Sequence, residues 1–288
     1  MRPTQKFRQL LADPDIIVAP GAYDCLTAKI IEKEKFPAVY MTGAGTTVSR
    51  LGYPDLGLAT MTEMVNNAAA IAATVDIPVI ADADTGYGGV LNVHRTVREY
   101  ERAGVAAIHI EDQESPKRCG HLDGKSVVSE AEMVRRIRVA VDARTDDDFT
   151  IIARTDALAV TGWDDTMSRC EAYIEAGADV LFVEALHTTD QMERVAANFD
   201  VPLLYNAVET GKSPLIPVDE LEQIGFKIVI FPVSAMLTVA KAVSDVMREL
   251  RERGTTAHLV DDMVGLVECF DTMGMSELLE RDASYAED

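Results

Sequence analysis

No uninterrupted apolar run in this chain approaches the ~20 residues that a membrane-spanning helix needs, although hydrophobic residues make up 48% of it. The stretch from Met1 to Asp13 is polar and charged and has no apolar segment of the kind found in a secretion signal. Cysteine is sparse. Cys25, Cys119, Cys170 and Cys269 lie far apart and form no C-x-x-C pair, which points to reduced thiols in a cytoplasmic protein. Cations are also short, with 27 Lys and Arg against 48 Asp and Glu, a formal charge of −21. A basic surface for phosphate is therefore missing, and nucleic acid is excluded as a partner. Anionic substrates must be attracted locally, by a cation or a few placed basic residues, although a saline habitat would also favour such acidity.

No Ser/Gly linker or low-complexity stretch divides the chain, so a single domain over 1–288 is expected. Short β-branched runs alternate with amphipathic stretches such as Glu130–Val141 and Met167–Ala176. The runs predicted as strands are Ile16–Ala19, Ala38–Thr42, Val79–Asp82, Ala107–Ile110, Thr150–Arg154, Val180–Glu184, Leu203–Asn206 and Ile228–Phe231. Gly104, Gly177 and Gly225 stand where helix C-caps would feed the next strand. Eight strands alternating with helices imply an α/β fold, a (β/α)₈ TIM barrel. A doubly wound open sheet would want a glycine-rich phosphate turn after its first strand, and Pro20-Gly21-Ala22-Tyr23-Asp24 is no such turn. Two or more further helical segments, about Val239–Arg253 and Val260–Leu279, exceed the needs of one barrel. Residues 239–288 are read as a C-terminal helical oligomerisation segment.

The polar residues gather where strands end. The second strand runs into Tyr40-Met41-Thr42-Gly43-Ala44-Gly45, the third into Asp82-Ala83-Asp84, the fourth into His109-Ile110-Glu111-Asp112 and the fifth into Arg154-Thr155-Asp156. The sixth ends at Glu184 and the seventh at Asn206. Alternation puts Tyr40 with Thr42, Asp82 with Asp84, and His109 with Glu111. If these faces point inward, one acidic cluster forms at the C-terminal mouth, where barrel enzymes place their sites. A lone acid at a strand end is ordinarily a helix cap or a solvated loop residue, the reading given to Asp112 and Asp156. Asp82, Asp84 and Glu111 together resist it, because burying three carboxylates without a cation is very costly. A hard divalent ion, Mg²⁺ with Mn²⁺ as substitute, resolves the cost. His109 reads equally as a hydrogen-bonded interior histidine.

Lys117-Arg118-Cys119-Gly120-His121 is the second signal. Cys25, Cys170 and Cys269 are read as inert buried residues. Cys119 has two cations before it and a histidine after it, surroundings that favour thiolate and lower the thiol pKa. Such a thiol can serve as nucleophile or as proton donor, and local chemistry leaves both open. No lysine ends any of the eight runs, which disfavours a Schiff-base aldolase.

Taken in order, these pieces, with Gly52-Tyr53-Pro54-Asp55 and Glu111-Asp112-Gln113, resemble the isocitrate lyase/phosphoenolpyruvate mutase superfamily from Pro20 to about Thr238. The resemblance implies a (β/α)₈ barrel whose eighth helix is swapped between partners in a homotetramer, a dimer of helix-swapped dimers. It implies that Asp82 binds Mg²⁺ directly and that Asp55, Asp84 and Glu111 do so through water. Tyr40, Thr42, Gly43 and Ala44 match the segment that holds the keto-acid part of the substrate. Arg154, Glu184 and Asn206 match residues that bind substrate carboxylates and hydroxyls. Lys117, Arg118, Cys119, Gly120 and His121 match the gating loop of the lyase branch, whereas phosphonate-handling relatives carry an asparagine-containing loop there. The implied activity is cleavage of a carbon–carbon bond in a small 2-hydroxy di- or tricarboxylate to a 2-oxo acid, such as pyruvate, and a carboxylate, with Cys119 as proton donor.

The loop fits methylisocitrate lyases, dimethylmalate lyases and oxaloacetate acetylhydrolases alike. Two features favour a dicarboxylate. The run from Thr42 to Gly52 resembles the dimethylmalate lyase-like group, and Leu237 stands where methylisocitrate lyases commonly carry arginine. Losing that cation disfavours a third carboxylate, because an unpaired buried charge costs roughly 3–5 kcal/mol. Oxaloacetate acetylhydrolase or isocitrate lyase activity is the alternative, ahead of phosphonomutase chemistry. A non-catalytic homologue would be expected to have lost an acid or the loop cysteine, and none is missing.

Overall fold

The computed structural model describes residues 1–285. Eight parallel strands close into a barrel in chain order: β1 (Ile17–Ala22), β2 (Val39–Met41), β3 (Val79–Asp82), β4 (Ala107–Glu111), β5 (Thr150–Thr155), β6 (Val180–Val183), β7 (Leu203–Asn206) and β8 (Ile228–Phe231), with β8 pairing back onto β1. The eight predicted runs all become strands, with ends shifted by a few residues. Most are rich in Val, Ile and Leu, which suit a sheet buried on both faces.

Alternation along these strands builds two cores. Ile17, Ala19, Ile80, Ile152, Phe182 and Ile230 fill the barrel. Val39, Val79, Ile108, Ile151 and Leu203 point outward against the helices. Continuing the inward row by two residues takes Ile80 to Asp82, Ala107 to His109 and Glu111, Ile152 to Arg154, Phe182 to Glu184 and Leu204 to Asn206. The functional face is thus an extension of the core face, set by the period of two.

The helices are α1 (Pro3–Ala12), α2 (Cys25–Lys33), α3 (Gly43–Thr46), α4 (Met61–Thr74), α5 (Val90–Arg102), α6 (Glu130–Ala143), α7 (Trp163–Glu175), α8 (Thr189–Asn198), α9 (Val218–Ile224), α10 (Ser234–Arg253), α11 (Leu266–Thr272) and α12 (Met275–Tyr285). Thr60 and Glu63 form a capping box at the start of α4, and Ser129 caps α6. Gly104, Gly177 and Gly225 adopt positive φ between helix and strand, as expected. Helix α1 inserts the fully buried Phe7 into the lower end of the barrel.

The C-terminal segment departs from expectation. Helix α10 begins at Ser234 rather than near Val239. The helical segment expected over about Val260–Leu279 consists of a 3₁₀ turn (Ala257–Asp262) followed by α11 and α12. Gly265 is extended ahead of α11, and Gly274 takes φ 83° between the two helices, so glycine interrupts the apolar pattern twice. Helix α10 buries none of its residues, and Val239, Val243, Met247 and Leu250 are exposed at helical spacing. Among the described residues, no helix is long and apolar enough to cross a membrane.

Candidate active site

Strands β2, β3 and β4 set Tyr40, Asp82 and His109 side by side at the mouth. The Tyr40 hydroxyl lies 2.8 Å from His109 Nε2 and 3.5 Å from Asp82 Oδ2, and the two rings stack with centroids 5.8 Å apart. Burial pushes His109 down to about 4, so the imidazole is neutral, and holds the Tyr40 phenol well above its usual value. Burial works against ionisation of Asp82, yet Lys117, Arg154 and the Asp84 N–H at 2.9 Å keep its carboxyl below the usual range. Asp84 sits at φ 46°, in the left-handed region, and its carboxyl turns to Lys117. Lys117 Nζ bridges Asp55 at 2.6 Å and Asp84 at 2.8 Å. Burial raises Asp84 to about 6 even so. Glycine 43 is needed because the start of α3 presses on Asp82: a Cβ there would stand 2.2 Å from Oδ2.

The opposite wall is organised by Arg154. Its guanidinium reaches Glu111 at 3.0 Å, Asp156 at 2.9 and 3.2 Å, and Glu184 at 3.3 Å. Glu184 also accepts from Asn206 Nδ2 at 3.1 Å and meets His121 Nε2 at 3.0 Å. Arg154 and His121 hold the Glu184 carboxyl far below the usual range despite burial. Glu111 is fully buried, and neither of its oxygens accepts a hydrogen bond. Burial pushes its pKa well above the usual value.

Those two oxygens, one ion-paired with Arg154 and neither hydrogen-bonded, are where the structure bears on a metal. Asp55, Asp82, Asp84, Glu111, Asp156 and Glu184 face only Lys117, Lys125 and Arg154, an excess of three carboxylates. Such an excess away from water calls for a further cation. Among the described residues, no three of His, Cys, Asp and Glu converge to ligate one ion directly. The residues therefore fit a hydrated hard ion held mainly through water, with few direct carboxylates.

The loop after β4 lies down across this mouth. His121 reaches Glu184, and the Lys212 N–H donates to His121 Nδ1 at 2.9 Å. Gln113 pins Arg118 through both backbone and amide contacts, at 3.0 and 2.8 Å. Gly120 passes so close to Arg154 and Glu184 that a Cβ would stand 2.5 Å from the guanidinium.

The expected activation of Cys119 is not found. Burial raises its thiol pKa, with Asp55 adding to the effect, although the His121 N–H and Lys117 oppose it. The two preceding cations face elsewhere: Lys117 is bound to Asp55 and Asp84, and Arg118 is exposed with its guanidinium on the Asp123 carbonyl at 3.3 Å. A protonated thiol suits a proton donor and not a resting nucleophile. Arg118 thus leaves the group of residues that touch the site.

Other expectations also change. Asp112 and Asp156 are fully buried, and neither caps a helix through its side chain. Asp112 accepts from Thr155 at 2.7 Å, Tyr173 at 2.8 Å and the Asp156 N–H at 2.9 Å, with Arg169 alongside. Of the cysteines read as buried, only Cys170 is; Cys25 and Cys269 are half-buried, because α2 and α11 lie on the outside of the barrel. Thr42 points its hydroxyl at the Gly45 N–H, 3.2 Å away, and so caps α3. Lys125, which no strand-end pattern marks, is brought onto Asp156 at 2.8 Å. Cavity size is no guide here: a cavity of about 850 Å³ lies between α2 and α11, while one of about 400 Å³ touches the mouth at Asp84 and Lys117. The loop fills the space above the acids.

Fold and site together define a barrel enzyme of the carbon–carbon lyase class, in which a loop thiol covers an acid-rich mouth. The chain matches the family described as phosphoenolpyruvate phosphomutase over residues 7–251 and belongs to the phosphoenolpyruvate mutase/isocitrate lyase superfamily. It is 47% identical to 2,3-dimethylmalate lyase of Eubacterium barkeri, covering 99% of both chains. It is 45% identical to 2-methylisocitrate lyase of Aeropyrum pernix, covering 99% of this chain and 92% of the relative. Among solved structures it superposes on oxaloacetate acetylhydrolase in complex with 3,3-difluorooxalacetate with a TM-score of 0.95 at 42% identity, covering 99% of each chain. Phosphonopyruvate hydrolase, solved with oxalate and Mg²⁺, gives 0.90 at 31% identity, covering 99% of this chain and all of the other.

Proposed function

We propose that this enzyme cleaves the C2–C3 bond of a 2-hydroxy dicarboxylate of the 2,3-dimethylmalate kind, yielding pyruvate or a similar 2-oxo acid and a simple carboxylate. The observation that carries this reading is the placement of Cys119 on a loop whose Lys117, Gly120 and His121 lie against Asp84, Arg154 and Glu184. Transfer of the C2 hydroxyl proton to a general base at the mouth lets the C2–C3 electron pair leave with C3 as an enolate-like carbanion of a carboxylate, while C2 becomes the carbonyl carbon. Cys119 Sγ gives its proton to C3. That carbanion is strongly basic, so the acid must be present when the bond breaks.

Mg²⁺, or Mn²⁺ in its place, supplies a Lewis acid and template for the 2-oxo carboxylate when bound. Asp82 would hold it directly, with Asp55, Asp84 and Glu111 acting through water. Arg154 and Asn206, set by Glu184, orient the remaining carboxylate, and Tyr40, Thr42, Gly43 and Ala44 hold the keto-acid portion. His121 and Gly120 close the site and exclude water. The mouth cations already have protein carboxylates as partners, which leaves little to receive a third substrate carboxylate.

The assay that decides is product formation with Mg²⁺ from 2,3-dimethylmalate, 2-methylisocitrate, isocitrate, citramalate and oxaloacetate. We expect the highest kcat/KM for 2,3-dimethylmalate. A clear preference for 2-methylisocitrate would refute the dicarboxylate reading. The similarity to oxaloacetate acetylhydrolase favours oxaloacetate as the second substrate to compare.

The bare apolar stripe on α10 supports a second part of the proposal: residues 239–288 mediate assembly, with α10 swapped between partners in a tetramer of cytoplasmic lyase subunits. Sedimentation as a stable monomer would exclude it.

A further inference from the structure

Cys119 acts only if its sulfur is held above the site, and the loop that carries it includes two glycines, Gly120 and Gly124. The Cys119 N–H donates to the Asp55 carbonyl at 3.2 Å, and the other contacts that hold the loop reach its flanks. Lys117 anchors the start on Asp55 and Asp84, and His121 anchors the far side on Glu184. The Gly120 carbonyl, one peptide from Cys119, receives a different contact: Lys125 Nζ donates to it and at the same time lies 2.8 Å from Asp156 Oδ1. The Lys125 side chain is 3% exposed and that of Asp156 is not exposed at all, so this is a buried, charge-assisted link. Asp156 is the same carboxylate that grips Arg154 at 2.9 and 3.2 Å, and its own N–H is fixed by Asp112. One acid therefore sets both the arginine on the β5 wall and, through Lys125, the backbone beside the thiol.

We infer that Lys125 is a positioning residue: bridging Asp156 to the Gly120 carbonyl, it holds the Cys119 thiol at proton-transfer distance in register with Arg154. This rests on the reading of Cys119 as the proton donor. Without the ammonium group the loop keeps its flanking anchors and the Cys119 N–H bond to Asp55 but loses the tie on the next carbonyl, that of Gly120, so binding survives better than turnover. A displacement of about 1 Å in a reacting group can cost on the order of 100-fold in rate.

The test compares Lys125→Met, Lys125→Arg and Cys119→Ser with the double variant Lys125→Met/Cys119→Ser, all as full-length protein with Mg²⁺. Lys125→Met should lower kcat roughly 10- to 100-fold with KM little changed, and Lys125→Arg, which keeps the charge, should recover most of the loss. In the Cys119→Ser background the same substitution should change kcat little, because the group it positions is gone. Alkylation of Cys119 by iodoacetamide in ligand-free protein should be faster in Lys125→Met by a factor of the same order. Equal losses in both backgrounds would overturn the inference, showing that Lys125 acts independently of the thiol. So would unchanged kcat and unchanged alkylation in Lys125→Met. If Cys119→Ser alone keeps the wild-type rate, the proton-donor reading fails, and the alkylation rates still decide whether Lys125 holds the loop.

Discussion

At the lower end of the barrel, Asp179 accepts from Arg8 and Arg144 at 2.8 Å each and from the Ile151 N–H at 2.8 Å, while Arg2 pairs with Asp146 and Asp148. At the upper end, Glu111 is wholly buried with no hydrogen bond to either oxygen, Asp84 holds a left-handed backbone, and carboxylates outnumber cations. Both ends are built from Asp, Glu, Arg and Lys at strand termini. The lower charges are matched and partly solvated, so they fasten α1 and the loops beneath the strands. The upper charges are unmatched and dry, an arrangement unfavourable for folding alone and suited to binding an ion and an anionic substrate. Charge content does not separate a structural end from a catalytic one; completeness of pairing does.

The largest effect should follow from completing or stripping the upper end. Exhaustive EDTA treatment should abolish turnover, and Mg²⁺ or Mn²⁺ should restore it. Full activity after chelation would mean that the carboxylate excess serves something other than a metal, and the contrast between the two ends would lose its meaning.

Next comes the thiol. Cys119→Ser replaces a half-buried acid by a far weaker one and should lower kcat by about 10² to 10⁴ with substrate binding largely kept. Burial and Asp55 raise the thiol above its ordinary value of 9.0, so the proton is present at neutral pH and is lost only as pH climbs through the raised value. Wild-type kcat should therefore hold through neutrality and fall on the alkaline side. A rate that instead rises with pH through neutrality would indicate a thiolate, and a covalent adduct on Cys119 detected by mass spectrometry would confirm that other role.

The smallest effect belongs to the lower end. Asp179→Asn weakens charge-assisted hydrogen bonds to two partly exposed arginines and should destabilise by about 1–3 kcal/mol. Thermal denaturation should register a Tm lower by a few degrees, with kcat per folded molecule unchanged. A variant that folds normally but loses kcat would show that the two ends are coupled.

The barrel and most of the site were legible in the chain because both follow from one period. Eight short apolar runs closed in order, and the inward row that fills the core continued in steps of two into Asp82, Glu111, Arg154, Glu184 and Asn206. Proximity across the barrel was not legible. Lys117 and Arg118 precede Cys119 and suggested an activated thiolate, yet one is captured by Asp55, 62 residues away, and the other turns to solvent. Asp112 and Asp156 looked like ordinary strand-end acids and proved to be buried junctions, since Arg169, Tyr173 and Lys125 come to them from other elements. The apolar pattern after α10 suggested helix without fixing its divisions, which fall at the glycines at 265 and 274. Sequence alone thus determined the strands, their inward faces and the residue types at the mouth, because local alternation is a property of the backbone. Which cation pairs with which acid, which carboxylate is left unpaired and whether the thiol keeps its proton were decided only in the tertiary structure, because charge interactions depend on distance and burial, and neither is encoded by spacing along the chain.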